Sequence, residues 1–134
     1  MSSFRIFDIA GSAMAAQSVR LNTVASNLAN ADTVGTTPED VYRARMPVFQ
    51  VNPMGSEDQA GVRVSGLAES QVEPLRRYEP GHPMADGEGY IYASNVNAVE
   101  EMVNMISSAR SYQSSVEILN TSKDLMMRTL SMGK

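Results

Sequence analysis

Apolar residues recur at helical spacing along the N-terminal part of the chain. The positions are Phe7, Ala10, Met14, Leu21, Val24 and Leu28, with Gln17 as the polar interruption. Four of these residues are spaced seven apart, namely Phe7, Met14, Leu21 and Leu28. This interval keeps one apolar stripe facing a neighbouring helix. The pattern predicts an amphipathic helix over roughly residues 4–29, about 40 Å long at 1.5 Å per residue. Asn30, Asp32 and Gly35 favour its end, because Asn and Gly tolerate the left-handed conformation at helix termini.

The C-terminal part carries a longer stripe with an alternating four-three spacing. Its members are Ala98, Met102, Met105, Ala109, Tyr112, Val116, Leu119, Lys123, Met126 and Leu130, and nine of the ten are apolar or aromatic. Asn97 is well placed to cap this second predicted helix by accepting from backbone N–H groups. The stripe is widened in the N-terminal half of this helix by Val99, Val103 and Ile106. We therefore expect that half to be buried on more than one side.

The middle of the chain differs from both ends. All six prolines and seven of the nine glycines lie in or at the edge of residues 36–93, which also contain β-type stretches at 47–51, 61–66 and 90–93. We therefore predict an α+β chain with three segments: an N-terminal helix (1–35), a loop-rich β-containing segment (36–93) and a C-terminal helix (94–134). A middle segment of this size buries little core, so we expect it to lean on the C-terminal helix or on neighbouring subunits.

Composition excludes several functions. The formal net charge of −4 argues against nucleic-acid binding, which needs clustered Lys and Arg, and the absence of Cys excludes disulfides and thiolate metal sites. No apolar run reaches the roughly 18 residues that span a bilayer, so we expect no direct membrane insertion. Residues 9–16 imitate the core of a signal peptide, but Asp8 and the unbroken helical pattern argue against cleavage.

The titratable residues do not form a catalytic or metal-binding pattern. His82, the only histidine, stands between prolines with no nucleophile or oriented carboxylate beside it in the sequence, so we expect a loop histidine that hydrogen-bonds to backbone. The stretch 86–89 (Asp-Gly-Glu-Gly) lacks the further oxygen ligands of a calcium loop and indicates a turn before a strand. We predict no cofactor and no catalytic residue.

Two short stretches resemble a known family. Residues 20–22 (Arg-Leu-Asn) and 25–33 (Ala-Ser-Asn-Leu-Ala-Asn-Ala-Asp-Thr) resemble the N-terminal signature shared by flagellar rod and hook proteins, and residues 95–112 resemble the C-terminal signature of the same family. The signature residues are Asn27, Asn30, Thr33, Asn95, Asn97, Glu101, Arg110 and Tyr112. The length and residues 73–83 are most similar to proximal-rod members, with departures from the family pattern at Ser70, Glu79 and Ser94.

The resemblance implies a structural subunit of the proximal rod in the bacterial flagellar basal body, without catalysis. It implies a rod that crosses the periplasm, export by the flagellar type III apparatus without a cleaved signal peptide, and assembly with its own copies and with other rod proteins. It also implies that the terminal helices pair as an inner domain around a channel while the middle segment lies outside.

Our hypothesis for the interface joins the two helical stripes. We expect packing within one subunit between Phe7, Met14, Leu21 and Leu28 on one helix and Met105, Tyr112, Val116, Leu119 and Met126 on the other. The remaining apolar surface is then available to neighbouring subunits. The alternatives are a cytoplasmic helical adaptor or export chaperone that binds a partner helix with the same stripes, and an enzyme that uses His82.

Overall fold

The computed structural model describes residues 3–55 and 59–134. Residues 1–2 and 56–58 of the predicted segments lie outside this range. Within these residues the elements are two helices and five strands: α1 (Ser3–Ala29), β1 (Val34–Gly35), β2 (Arg45–Pro53), β3 (Ala60–Glu69), β4 (Leu75–Tyr78), β5 (Tyr90–Ala93) and α2 (Ala98–Met132). The predicted α+β class, with a long helix at each end and strands between them, is confirmed.

The two helices pack against each other and run in opposite directions. Asn27 near the end of α1 contacts Glu101 near the start of α2, and Arg20 contacts Asn104 one turn further along. Asn97 caps α2 as its sequence predicts, since its side-chain oxygen accepts from the N–H groups of Val99 and Glu100. Neither helix carries an apolar stretch of the length that a bilayer requires.

The strands form two small antiparallel sheets. The first has the order β1-β5-β4, with β5 in the centre, and the second is the hairpin β2-β3. Three of these strands cover the stretches predicted from the sequence, although β2 and β3 are longer than expected. The core of the first sheet is Ile91, which is fully buried. The other buried residues there are Ala93 and Val41, which lies in the loop between β1 and β2.

The hairpin β2-β3 packs on α1, whereas the expectation for the middle segment was packing on the C-terminal helix or on neighbouring subunits. The reason is a close approach at Gly61, where β3 lies directly against Ser12 of α1. The Ser12 hydroxyl accepts from the N–H of Val62 at 3.1 Å and donates to the carbonyl of Ile9. A side chain at position 61 would prevent this contact, which depends on a small residue that hydrophobic patterns do not register.

The N-terminal half of α2 is exposed on its outer side. Val99, Val103 and Ile106 were expected to be buried on more than one side, but each is more than half exposed. The single chain therefore does not supply the burial that the sequence predicts for them.

Candidate assembly interface

The contact between α1 and α2 alternates large and small side chains. The nine residues expected at this interface are all half-buried: Phe7, Met14, Leu21, Leu28, Met105, Tyr112, Val116, Leu119 and Met126. Besides Glu101, the buried positions on α2 are instead Ser108 and Ser115, each three residues after a large member of the stripe, while Ala10 and Val24 are buried on α1. Small residues at these positions let the two backbones approach closely.

The buried serines satisfy their own hydroxyls. Ser108 donates to the carbonyl of Asn104 at 2.7 Å, and Ser115 donates to that of Ser111 at 3.1 Å. A hydroxyl that bonds back along its own helix needs no partner across the interface. The apolar pattern does not mark these positions, although the seven-residue spacing of Ser108, Ser115 and Ser122 could have indicated them.

Asn27 is the centre of a buried hydrogen-bond network between the helices and the hairpin. Its side chain is 1% exposed. The amide group pairs with both backbone groups of Arg45, accepting from the N–H at 3.0 Å and donating to the carbonyl at 2.8 Å. It also accepts from the Tyr42 hydroxyl at 2.8 Å and donates to a carboxylate oxygen of Glu101 at 3.0 Å. One side chain thus joins α1, α2 and the first residue of β2.

The network continues along α2 and back to α1. The other carboxylate oxygen of Glu101 accepts from Asn104, whose own side-chain oxygen accepts from Arg20. Burial raises the pKa of Tyr42, and the carboxylates of Glu101 and Glu69 add to the effect while Arg45 opposes it. The Tyr42 hydroxyl therefore stays protonated and remains a donor to Asn27 at neutral pH.

Asn95 makes a second clamp between loops. Its side-chain oxygen accepts from the N–H of Ala44 at 2.8 Å, and its amide donates to the carbonyl of Val72 at 2.7 Å. Asn95 thereby holds the entry to β2 and the entry to β4 against the segment that leads into α2. The clamp places both loops beside the N-terminus of α2.

The other signature residues have local or outward positions. Asn30 and Thr33 bond to carbonyl groups within the turn that ends α1. Tyr112 is half-buried, and Arg110 is exposed on the outer side of α2. Four signature residues therefore fix the junction of the helices with the middle segment, namely Asn27, Asn95, Asn97 and Glu101. The sequence marked Asn27 only as a residue of the family signature and assigned it no structural partner.

His82 and Asp86 order the loop between β4 and β5. The Nδ1 atom of His82 accepts from the N–H of Met84 at 3.0 Å, which is the backbone bond expected for it. Asp86 accepts from the N–H groups of Glu88 and Tyr90, both at 2.9 Å. The bond from Tyr90 is the main cause that lowers the pKa of Asp86, although desolvation opposes it. Within the described residues, no group of three or more His, Asp or Glu side chains is arranged to hold a metal ion.

Comparison with known families gives matches at both ends of the chain. Residues 7–36 match the family "Flagella basal body rod protein", and residues 88–132 match "Flagellar basal body rod FlgEFG protein C-terminal". The first match contains Asn27 and the second contains Glu101, so the hydrogen bond between them joins the two matched regions.

Curated relatives match over their whole length. The chain is 51% identical to the flagellar basal-body rod protein FlgC of Salmonella typhimurium and 48% identical to that of Yersinia enterocolitica, with 100% of each chain covered. It is 43% identical to FlgC of Buchnera aphidicola subsp. Acyrthosiphon pisum, again over 100% of both chains.

Proposed function

Because this chain belongs to the FlgC family of flagellar basal-body rod proteins, we propose how its helices and hairpin assemble the rod and transmit torque through it. The chain is a structural subunit of the basal-body rod. The single observation that carries the proposal is the Asn27 network, which joins both terminal helices and the hairpin at one buried point.

The proposed division of labour follows the three segments of the chain. Segments 1–35 and 94–134 form the inner helical pair, held by the stripes from Phe7 to Leu28 and from Met105 to Met126. Segment 36–93 forms the outer part, and its hairpin rests on α1. Heterologous contacts that do not close produce a helical array rather than a ring, as a rod requires.

Torque passes from the outer part to the inner pair through fixed geometry. Asn27 binds both backbone groups of Arg45, so β2 cannot turn relative to α1 without breaking two hydrogen bonds. Asn95 limits the same movement at Ala44 and Val72. A subunit that transmits rotation needs this stiffness, because a flexible junction would absorb the load.

The proposal includes the assembly partners of the subunit and the pathway by which it is exported. The subunit assembles with its own copies and with other rod proteins, in a rod that crosses the periplasm. It travels through the flagellar type III export apparatus and keeps its N-terminus uncleaved. It works by assembly, without a reaction of its own.

The test replaces Leu119 by Asp and follows the chain into purified hook–basal bodies. Leu119→Asp places a charge in the half-buried stripe of α2, so we expect export to continue and incorporation and swimming to be lost. Gln113→Asp is the matched control, because Gln113 is exposed on the same helix and its variant is expected to assemble normally.

Two results would contradict the proposal. Normal swimming by the Leu119→Asp strain would remove the role of the helical stripe. Absence of the unmutated chain from basal bodies, with the chain retained in the cytoplasm, would favour an adaptor or export chaperone instead.

A further inference from the structure

The chain exposes more surface than a compact protein of its size. Its accessible surface is 9066 Å², whereas a compact monomer of this mass exposes about 6,900 Å². The excess, about 2,000 Å², is comparable to the surface that one subunit buries across two or three standard interfaces. The long helix α2 contributes much of the apolar part of that surface.

Two apolar patches lie at opposite ends of α2. The N-terminal patch consists of Val99, Met102, Val103 and Ile106, which are 55–71% exposed. The C-terminal patch consists of Leu125, Met127, Leu130 and Met132, which are 60–86% exposed. Between the two patches the exposed positions include Arg110, Gln113, Ser114 and Glu117, and Ile118 is the large apolar residue among them.

Three of the four residues of the C-terminal patch, all but Leu125, have no α1 beside them for a geometric reason. The two helices meet at Asn27 and Glu101, and α1 extends 24 residues back from Asn27 whereas α2 extends 31 residues on from Glu101. The last seven residues of α2 therefore project about 10 Å beyond the start of α1. That projection is similar in length to the N-terminal patch, which spans two turns of helix.

Several exposed apolar positions of the two patches fall on one three-four repeat along α2. Val99, Met102 and Ile106 are separated by three and four residues, and Met127 and Leu130 continue the same repeat. Such spacing suits packing against a helix. The charges are complementary: the exposed Glu100 accompanies the N-terminal patch, and Lys123, Arg128 and Lys134 outnumber Asp124 around the C-terminal patch.

We propose that the two patches are the two halves of one head-to-tail contact between copies of this chain, in which the C-terminal patch of one copy packs on the N-terminal patch of the next. This inference rests on the proposed function and assigns one of its interfaces. Since the halves lie at opposite ends of one helix, each copy uses both at once and the contact adds subunits without closing.

The test uses disulfide formation, for which the chain is suited because it contains no Cys. Two differently tagged variants, Val103→Cys and Met127→Cys, are produced together in cells that lack the unmutated chain, and purified basal bodies are oxidised. We expect the disulfide between positions 103 and 127 to exceed the control by about tenfold, since disulfides form only between closely approaching Cβ atoms. The control pairs Met127→Cys with Gln113→Cys.

A second pair, Ile106→Cys with Leu130→Cys, tests the same contact in case the first pair of variants is incorporated poorly. The inference is overturned if both pairs give only control yields, if position 103 links to position 103 of another copy, or if it links to a different rod protein. Recovery of the unmutated chain in basal bodies is measured separately. Its presence without the disulfide overturns this contact alone, whereas its absence overturns the proposed function.

Discussion

The side chain of Asn27 has four hydrogen-bonding positions and uses all of them. Two go to the backbone of Arg45, one to Tyr42 and one to Glu101. None of these partners could be inferred from the sequence around position 27, because the nearest lies 15 residues away. A buried amide with this role looks in the sequence like any Asn near the end of a helix, so only the structure separates it from Asn30.

Replacing Asn27 by Ala tests how much the hydrogen bonds of this side chain contribute to stability. The variant leaves the N–H of Arg45 unsatisfied and removes a donor from the buried Glu101, which is 7% exposed. We expect the protection of the α1 amides around position 27 against hydrogen exchange in purified basal bodies to fall by about 2–4 kcal/mol. Asn30→Ala is the matched control, since the Asn30 side chain bonds only to its own helical turn. Equal protection in the two variants would contradict the role assigned to Asn27.

Asp86 gives a pH dependence whose sign follows from its bonds. Its pKa is lowered from 3.8, chiefly because its carboxylate accepts from the N–H of Tyr90. The charged form therefore stabilises the folded loop above pH 3.8, and this stabilisation is lost as the pH falls through the lowered pKa. The amide resonances of Glu88 and Tyr90 are expected to report that titration in NMR spectra. In Asp86→Asn they are expected to stay constant over the same range, and a titration that persists there would contradict the assignment.

At the scale of elements, long patterns were predicted well and short ones were not. Both helices begin and end close to the expected residues because each stripe repeats over many turns. Strand β4 was missed because its sequence, Leu-Arg-Arg-Tyr, shows no alternation of apolar and polar residues. Pairing with β5 forms this strand, aided by Arg76, which lies 3.7 Å from the centre of the Tyr90 ring.

The placement of the hairpin also depends on a feature that hydrophobic periodicity does not detect. Gly61 gives β3 the space to approach Ser12, and the resulting bond to Val62 holds the hairpin on α1. A pattern of apolar residues indicates that a strand has a buried face. It does not indicate which helix covers that face.

Replacing Gly61 by Ala is expected to loosen the hairpin from α1. The added methyl group would collide with Ser12 and with the end of Met54, at a cost of about 1–3 kcal/mol if the hairpin shifts to relieve it. Hydrogen exchange at the amide of Val62 in purified basal bodies, where α1 is expected to be held, measures the effect, and we expect it to be faster. Gly66→Ala is the control on the same strand, because nothing lies within 4 Å of the added methyl. If both variants exchange at the rate of the unmutated chain, Gly61 is not required for the contact.

Among the residues whose burial the structure describes, few large apolar side chains are buried. The buried apolar residues there are Ala10, Ala16, Val24, Val41, Ile91 and Ala93, so the contact between the long helices depends mainly on half-buried and small residues. Helices gain most of their stability from packing rather than from intrinsic propensity. We therefore expect the terminal helices to be weakly held in a free subunit and to be stabilised by neighbours in the rod.

Amide hydrogen exchange on the free chain and on purified basal bodies tests this account most directly. We predict fast exchange across residues 5–28 and 126–132 in the free chain and strong protection of both segments in the assembled rod. Residues 90–93 serve as an internal reference, because Ile91 and Ala93 are buried within the single chain. Strong protection of residues 5–28 in the free chain, or exchange in the rod as fast as in the free chain, would contradict the claim that assembly stabilises the helical pair.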